Sequence, residues 1–255
     1  MKLHYSLHSP QFDDTVVLLH GMGSCADDWL LQVPLLATRY RVVALDARGH
    51  GNSLKPPGPY SIPQMADDTV ETLDWLGIGA AHAVGLSMGG CTALQLAIAH
   101  PARVRSLVIV NSYARVQPAG WRGVLRFLQR AWALNFGSMD DVAEPVAFSM
   151  FPKPEQAELR RIAHARIAGN PRGPYRAALM ACVTFNALPQ LSRVACPTLI
   201  VAGDRDLTVA LPLKQQLQHG IPGAELRLIP DSGHATPVDQ PEPFNRALLE
   251  FLSHH

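Results

Sequence analysis

The chain has 255 residues, 47% of them hydrophobic and 17% charged, with a formal net charge of +1. Such a length and composition suit one globular domain, or one domain carrying an insertion, and the balanced charge offers no handle for nucleic acid or an anionic membrane. Cys25, Cys91, Cys182 and Cys196 form no metal-ligand spacing and read as reduced thiols. With no secretory leader at residues 1–10 and no apolar run of membrane length, a cytoplasmic protein without a metal is expected.

Short apolar runs alternate with longer amphipathic stretches. Residues 15–20 (TVVLLH) predict a buried strand, followed by the loop His20-Gly21-Met22-Gly23-Ser24. Asp28 and Trp29 are assigned to the next helix, and Trp29 is a candidate pocket residue. Residues 40–46 (YRVVALD) predict a second strand, which leads into Asp46-Ala47-Arg48-Gly49-His50-Gly51-Asn52-Ser53, a loop read as structural. Residues 62–76 predict a helix, with Pro63 at its start and Gly77 beyond its end. Residues 81–86 (AHAVGL) predict a strand, and residues 88–100 a helix apolar nearly all round. Strands are expected next at 104–111, 198–202 and 225–229, and amphipathic helices at 211–219 and 243–252. This alternation predicts an α/β fold: a mostly parallel sheet with helices on both faces and right-handed crossovers.

Residues 112–192 break the rhythm. They contain no strand-like run but four helical stretches, at 121–136, 140–151, 154–169 and 175–188. A crossover needs only about a dozen residues. The expected organisation is therefore a core of residues 1–111 and 193–255 with a helical cap inserted at 112–192. Trp121, Leu125, Phe127, Phe148, Phe151 and Phe185 are candidates to line an apolar pocket beneath it, or to form its core.

Gly85-Leu86-Ser87-Met88-Gly89 lies between a predicted strand and a predicted helix. A turn that sharp forces its central residue into a strained conformation and leaves no room for side chains two positions either side. In exchange, the Ser87 hydroxyl is presented at a helix N-terminus, where the Met88 N–H can meet an oxyanion. Met22, in the first glycine loop, is the candidate second donor, and His20 is read as a brace for that loop. A serine hydroxyl needs a base, and the base needs a group that fixes its tautomer. His234, in Asp231-Ser232-Gly233-His234, is the candidate base. The acid is sought in Gly203-Asp204-Arg205-Asp206, with Asp206 preferred over Asp204, and Asp231 is read as a turn residue.

Taken together, HGMGS (20–24), DARGHGNS (46–53), GLSMGG (85–90), GDRD (203–206) and SGH (232–234) make the chain resemble the α/β-hydrolase superfamily over nearly its whole length. Within it the chain is most similar to capped serine hydrolases of the 3-oxoadipate enol-lactonase and pimeloyl-ester carboxylesterase type. The resemblance implies Ser87 as nucleophile, Asp206 as acid, His234 as base, Met22 and Met88 as backbone oxyanion donors, no cofactor, and a small ester or lactone as substrate. Serine at 87 sets the chain apart from relatives with aspartate there, the haloalkane dehalogenases and epoxide hydrolases. Two other functions fit the same residues: acyl transfer to an acceptor other than water, as in acyltransferases and perhydrolases, and ligand binding on a hydrolase scaffold. Arg122, Arg126, Arg130 and Arg166 of the cap would offer positive charge to a substrate if they face inward, and otherwise belong to a solvated helix face.

Overall fold

The structure, a computed structural model, describes residues 1–116 and 120–255; between 120 and 131 it describes the side chains of Leu125, Leu128, Gln129 and Arg130 only. Seven strands form one sheet in the order β1-β3-β2-β4-β5-β6-β7. They are β1 (Tyr5–His8), β2 (Thr15–Leu19), β3 (Arg41–Leu45), β4 (Ala81–Leu86), β5 (Val104–Val110), β6 (Thr198–Gly203) and β7 (Glu225–Ile229). All neighbours pair in parallel except β1, which runs antiparallel along β3.

Helices cover both faces. In chain order they are α1 (Val33–Leu36), α2 (Ile62–Trp75), α3 (Met88–Ala99), α4 (Gly120–Phe136), α5 (Met139–Met150), α6 (Ala157–Ala168), α7 (Arg172–Thr184), α8 (Leu211–Gly220), α9 (Thr236–Asp239) and α10 (Pro241–Leu252). Alternate strand residues enter two cores. Val17, Leu19, Val43, Leu45, Leu107 and Ile109 pack with residues of α2, α3 and α8. Val16, Leu18, Val42, Ala44, Val108 and Val110 pack with Leu36, Phe244, Leu248 and Phe251 on the opposite face. A parallel sheet covered twice must be apolar on both sides, which is why its inner strands β2 and β6 are buried at every residue. β1 escapes that rule because it is a four-residue edge strand, only half buried.

Between β5 and β6 the described chain forms α4 to α7, short 3₁₀ turns and one isolated bridge from Arg115 to Asn186. These helices hold a third core of Ala133, Leu134, Val142, Ala143, Ile167, Tyr175 and Leu179, against which Met22 of the first glycine loop also packs. Arg166 of α6 reaches Asp28 at 3.0 Å, and the Asn170 side chain donates to the Gly23 carbonyl at 2.9 Å. The segment is thus fastened to the loop that leaves β2. None of the helices in the described residues is long and apolar enough to cross a membrane.

Candidate active site

The turn at Ser87 is built by close backbone contact. Ser87 sits between β4 and α3 at φ 55° and ψ −112°, a conformation rarely adopted by side-chain-bearing residues. Two glycines make it possible. A Cβ on Gly85 would stand 2.1 Å from the Gly89 carbonyl oxygen, and one on Gly89 would stand 2.1 Å from the Leu19 carbonyl oxygen. Strand, turn and helix therefore fit only without those atoms. Met88 is the first residue of α3. Gly21 lies against Ser87, since a Cβ built there would be 3.7 Å from the Ser87 Cβ. The loop carrying Met22 and the turn carrying Met88 are neighbours. Among the described residues, neither the Met22 nor the Met88 amide donates to an acceptor outside the regular elements.

His20 braces this loop from within. Its Nδ1 lies 2.7 Å from the Gly21 carbonyl, and its Nε2 accepts the Ala47 N–H at 2.9 Å, so the ring is neutral with its proton on Nδ1. Burial lowers its proton affinity, consistent with that form. Asp46 ties the next loop together by accepting the Ala26 N–H at 2.8 Å and the Asn52 N–H at 2.7 Å.

His234 and Asp206 meet at the far side of the sheet's carboxyl edge. His234 Nδ1 lies 3.1 Å from both carboxylate oxygens of Asp206. Oδ1 also accepts the amides of Thr208 (2.8 Å) and Val209 (3.1 Å), and Oδ2 accepts the ammonium of Lys214 at 2.8 Å. Burial pushes the Asp206 carboxyl up, but His234 and Lys214 outweigh it and hold the group well below the usual carboxylate range. It is an anion at any working pH. Asp204 points elsewhere: its Oδ1 accepts the Ser232 N–H at 3.2 Å and so shapes the loop that carries the histidine. Asp231 is a turn residue at φ 56°.

Asn111, just beyond β5, links the two halves. Its Nδ2 donates to the carbonyls of Gly233 (3.1 Å) and His234 (2.8 Å) and to Thr236 Oγ1 (2.7 Å), while its Oδ1 accepts the Gly203 N–H at 2.9 Å. The residues on either side of it hold the turn at Ser87. The Ser87 N–H donates to the Val110 carbonyl at 2.9 Å, and Ser112 Oγ donates to the Ser87 carbonyl at 2.7 Å. Three consecutive residues at one strand end therefore fix Ser87, the end of β6 and the His234 loop relative to one another. With Nδ1 committed to Asp206, the free nitrogen of His234 is Nε2. Among the described residues no hydrogen bond joins it to Ser87 Oγ.

The expected pocket residues divide. Trp29 is fully buried against Phe244, ring centroids 6.4 Å apart, and belongs to the sheet core instead of a pocket. Phe185 is likewise buried in the core that contains α2 and α3, because the chain re-enters the sheet layer just after α7. Phe151 is buried at the end of α5. Leu125 is exposed, and so is Phe148, which lies under the Arg160 guanidinium. Trp121, Phe127, Arg122 and Arg126 fall outside the described side chains. Arg166 pairs with Asp28, and Arg130 bonds the Tyr175 hydroxyl, so neither stands on a merely solvated face.

Asn111, Lys214 and Asp239 were not singled out from sequence. Asp239 accepts the Ser232 hydroxyl (2.9 Å) and the Gly233 N–H (2.5 Å) and thereby holds the histidine loop. Lys214 carried no signal, because a lysine on an amphipathic helix reads as surface; only its place between the buried Leu213 and Leu217 could have raised the question.

A mainly parallel sheet in this strand order, with a strained serine at the turn from β4 to α3, defines the α/β-hydrolase class. The chain belongs to that family: the α/β-hydrolase fold profile matches residues 14–241. A protein of Stutzerimonas stutzeri named as a carbamate hydrolase, RutD, is 33% identical, the alignment covering 98% of this chain and 97% of that one. 3-Oxoadipate enol-lactonase 2 of Acinetobacter baylyi is 29% identical, with 96% and 91% covered. Among solved structures, the enol-lactonase from Burkholderia xenovorans superposes with a TM-score of 0.90 at 27% identity, covering 98% of this chain and 96% of that one.

Proposed function

We propose that the protein is a serine hydrolase that cleaves a small carboxylic ester or lactone through an acyl-enzyme on Ser87. The observation that carries this reading is the joint fixing of a strained Ser87 and a buried His234–Asp206 pair by residues 110–112 of one strand end. Ser87 Oγ attacks the carbonyl as His234 Nε2 takes its proton. Asp206 stabilises the imidazolium that forms. The amides of Met22 and Met88 receive the oxyanion, an arrangement in which losing one donor costs about 2.7–4 kcal/mol of transition-state stabilisation. The leaving alcohol takes the proton from His234, and water activated by the same imidazole releases the acid. The helices between β5 and β6 serve as the lid.

The name of the Stutzerimonas relative favours a second substrate class, since a carbamate presents the same attackable carbonyl. The test is a panel of p-nitrophenyl esters, small lactones and a simple carbamate, assayed with the purified protein and with Ser87→Ala. Turnover is expected to fall by roughly 10³-fold or more in Ser87→Ala, with thermal unfolding little changed. Equal turnover in the two proteins would falsify the assignment.

A further inference from the structure

A lysine is buried directly behind the acid. Lys214, on α8, has a side chain with no exposure, and its ammonium lies 2.8 Å from Asp206 Oδ2. His234 Nδ1 lies 3.1 Å from that same oxygen. Two backbone amides already anchor Oδ1, so the carboxylate has no need of a cation to stay in place. An ammonium is costly to bury, and one ion pair returns that cost only in part. Burial in turn lowers the lysine's proton affinity while Asp206 raises it.

We propose that Lys214 is a positioning residue that tunes the His234–Asp206 pair: its ammonium offsets the carboxylate's charge, so the imidazole serves as a base in more acidic solution than beside an uncompensated carboxylate. The proposal rests on the serine-hydrolase reading for its kinetic consequence, but not for its electrostatics. An imidazolium on Asp206 would share one oxygen with the ammonium. Their repulsion across that short distance, among side chains almost wholly buried, disfavours the imidazolium.

The other charges around the pair are already engaged. On α9, Asp239 faces the histidine loop and is held by Ser232 and Gly233. Lys153, from the segment between β5 and β6, pairs with Asp231 at 2.5 Å. Asp204 and Arg205 face each other beside the Ser232 amide. On β7, which packs against α8, Arg227 pairs with Glu250 of α10. Arg193, at the end of the turn preceding β6, bonds Gln190. Among the described residues, only His234 and Lys214 form ion pairs with Asp206.

The experiment measures the His234 imidazole titration by NMR and the acidic limb of kcat/KM on p-nitrophenyl acetate. It uses wild type, Lys214→Met and Lys214→Gln, each checked for folding by circular dichroism. Both variants are expected to move the titration and the kinetic limb upward together, by about one pH unit or more. A folded variant of lower stability whose imidazole titrates with wild type would reduce Lys214 to a packing residue and overturn the proposal. If Lys214→Met does not fold, Lys214→Gln, which keeps a donor for Oδ2, carries the comparison. The NMR reading needs no turnover. Absence of ester hydrolysis in wild type would therefore sink the hydrolase reading while the lysine's role was still decided.

Discussion

Two aspartates stand two positions apart after β6, and only one bonds the histidine. Asp206 gives both oxygens to His234 Nδ1, whereas Asp204 takes the Ser232 amide. Asp206→Asn should therefore lower kcat by roughly 10³–10⁴-fold, because an amide can stabilise the wrong imidazole tautomer and offers no charge to the imidazolium. It also strands Lys214, and breaking a buried pair typically costs about 3–5 kcal/mol, so urea unfolding belongs beside the assay. Asp204→Asn should cost less than about tenfold, since a side-chain carbonyl can still accept the Ser232 amide. The reverse ranking would transfer the acid's role. The contact of Asp206 with His234 was legible in the sequence because the turn through Gly203 brings the later carboxylate toward the histidine loop. Lys214 and Asn111 were not, because nothing in a linear pattern tells a buried amide or ammonium from a solvated one.

The elements around Ser87 leave no slack. Gly89→Ala places a methyl group 2.1 Å from a main-chain oxygen of β2, and backbone on both sides cannot yield as a side-chain tip would. The variant should fail to accumulate as folded protein, or should unfold well below wild type in a thermal melt. A melt within a degree or two of wild type would show that α3 can move off β2. Strands β2 to β7 were readable because each is a run rich in apolar residues. β1 was not, since its YSLH lies half buried on the sheet's rim and carries no alternation long enough to detect. The helices between β5 and β6 were predicted in number and approximate place. Their ends moved where short 3₁₀ turns took over, as at Pro154–Gln156. The aromatic residues were the hardest to place. Periodicity marks which face of a helix is apolar but not whether that face meets a cavity or another helix, and Trp29 and Phe185 met the sheet.

For the molecule as a whole, buried imidazoles set the response to acid. His20, His50 and His82 are all inaccessible, and burial lowers the proton affinity of each, pushing His50 down to about 3. The unfolded chain binds protons at these positions from about pH 6.5 downward, while the folded protein takes them up only at lower pH. The unfolded state then carries the larger number of bound protons, so stability rises with pH and is lost as pH falls from 6.5 toward 3. His50 alone should contribute a slope of about 1.4 kcal/mol per pH unit across most of that window. Urea unfolding at pH 6.5, 5.5 and 4.5 measures it, and His50→Asn, which keeps a donor for the Arg48 carbonyl, should flatten the slope by that amount. A wild-type stability independent of pH over this range would contradict the neutral, buried assignment. Asp28 and Asp239, both raised by burial, work in the opposite direction as pH falls toward the ordinary carboxylate range.

Asn111 is the first residue beyond β5, where the chain turns toward its helical excursion, and it ties the end of β6 to the His234 loop. The helices beyond it take no part in those bonds, but they hold the Met22 loop through Arg166 on Asp28 and Asn170 on the Gly23 carbonyl. A segment borrowed from a relative, spliced in after Ser112 and rejoined before β6, is therefore expected to leave the Met22 loop in place only if it keeps those two anchors.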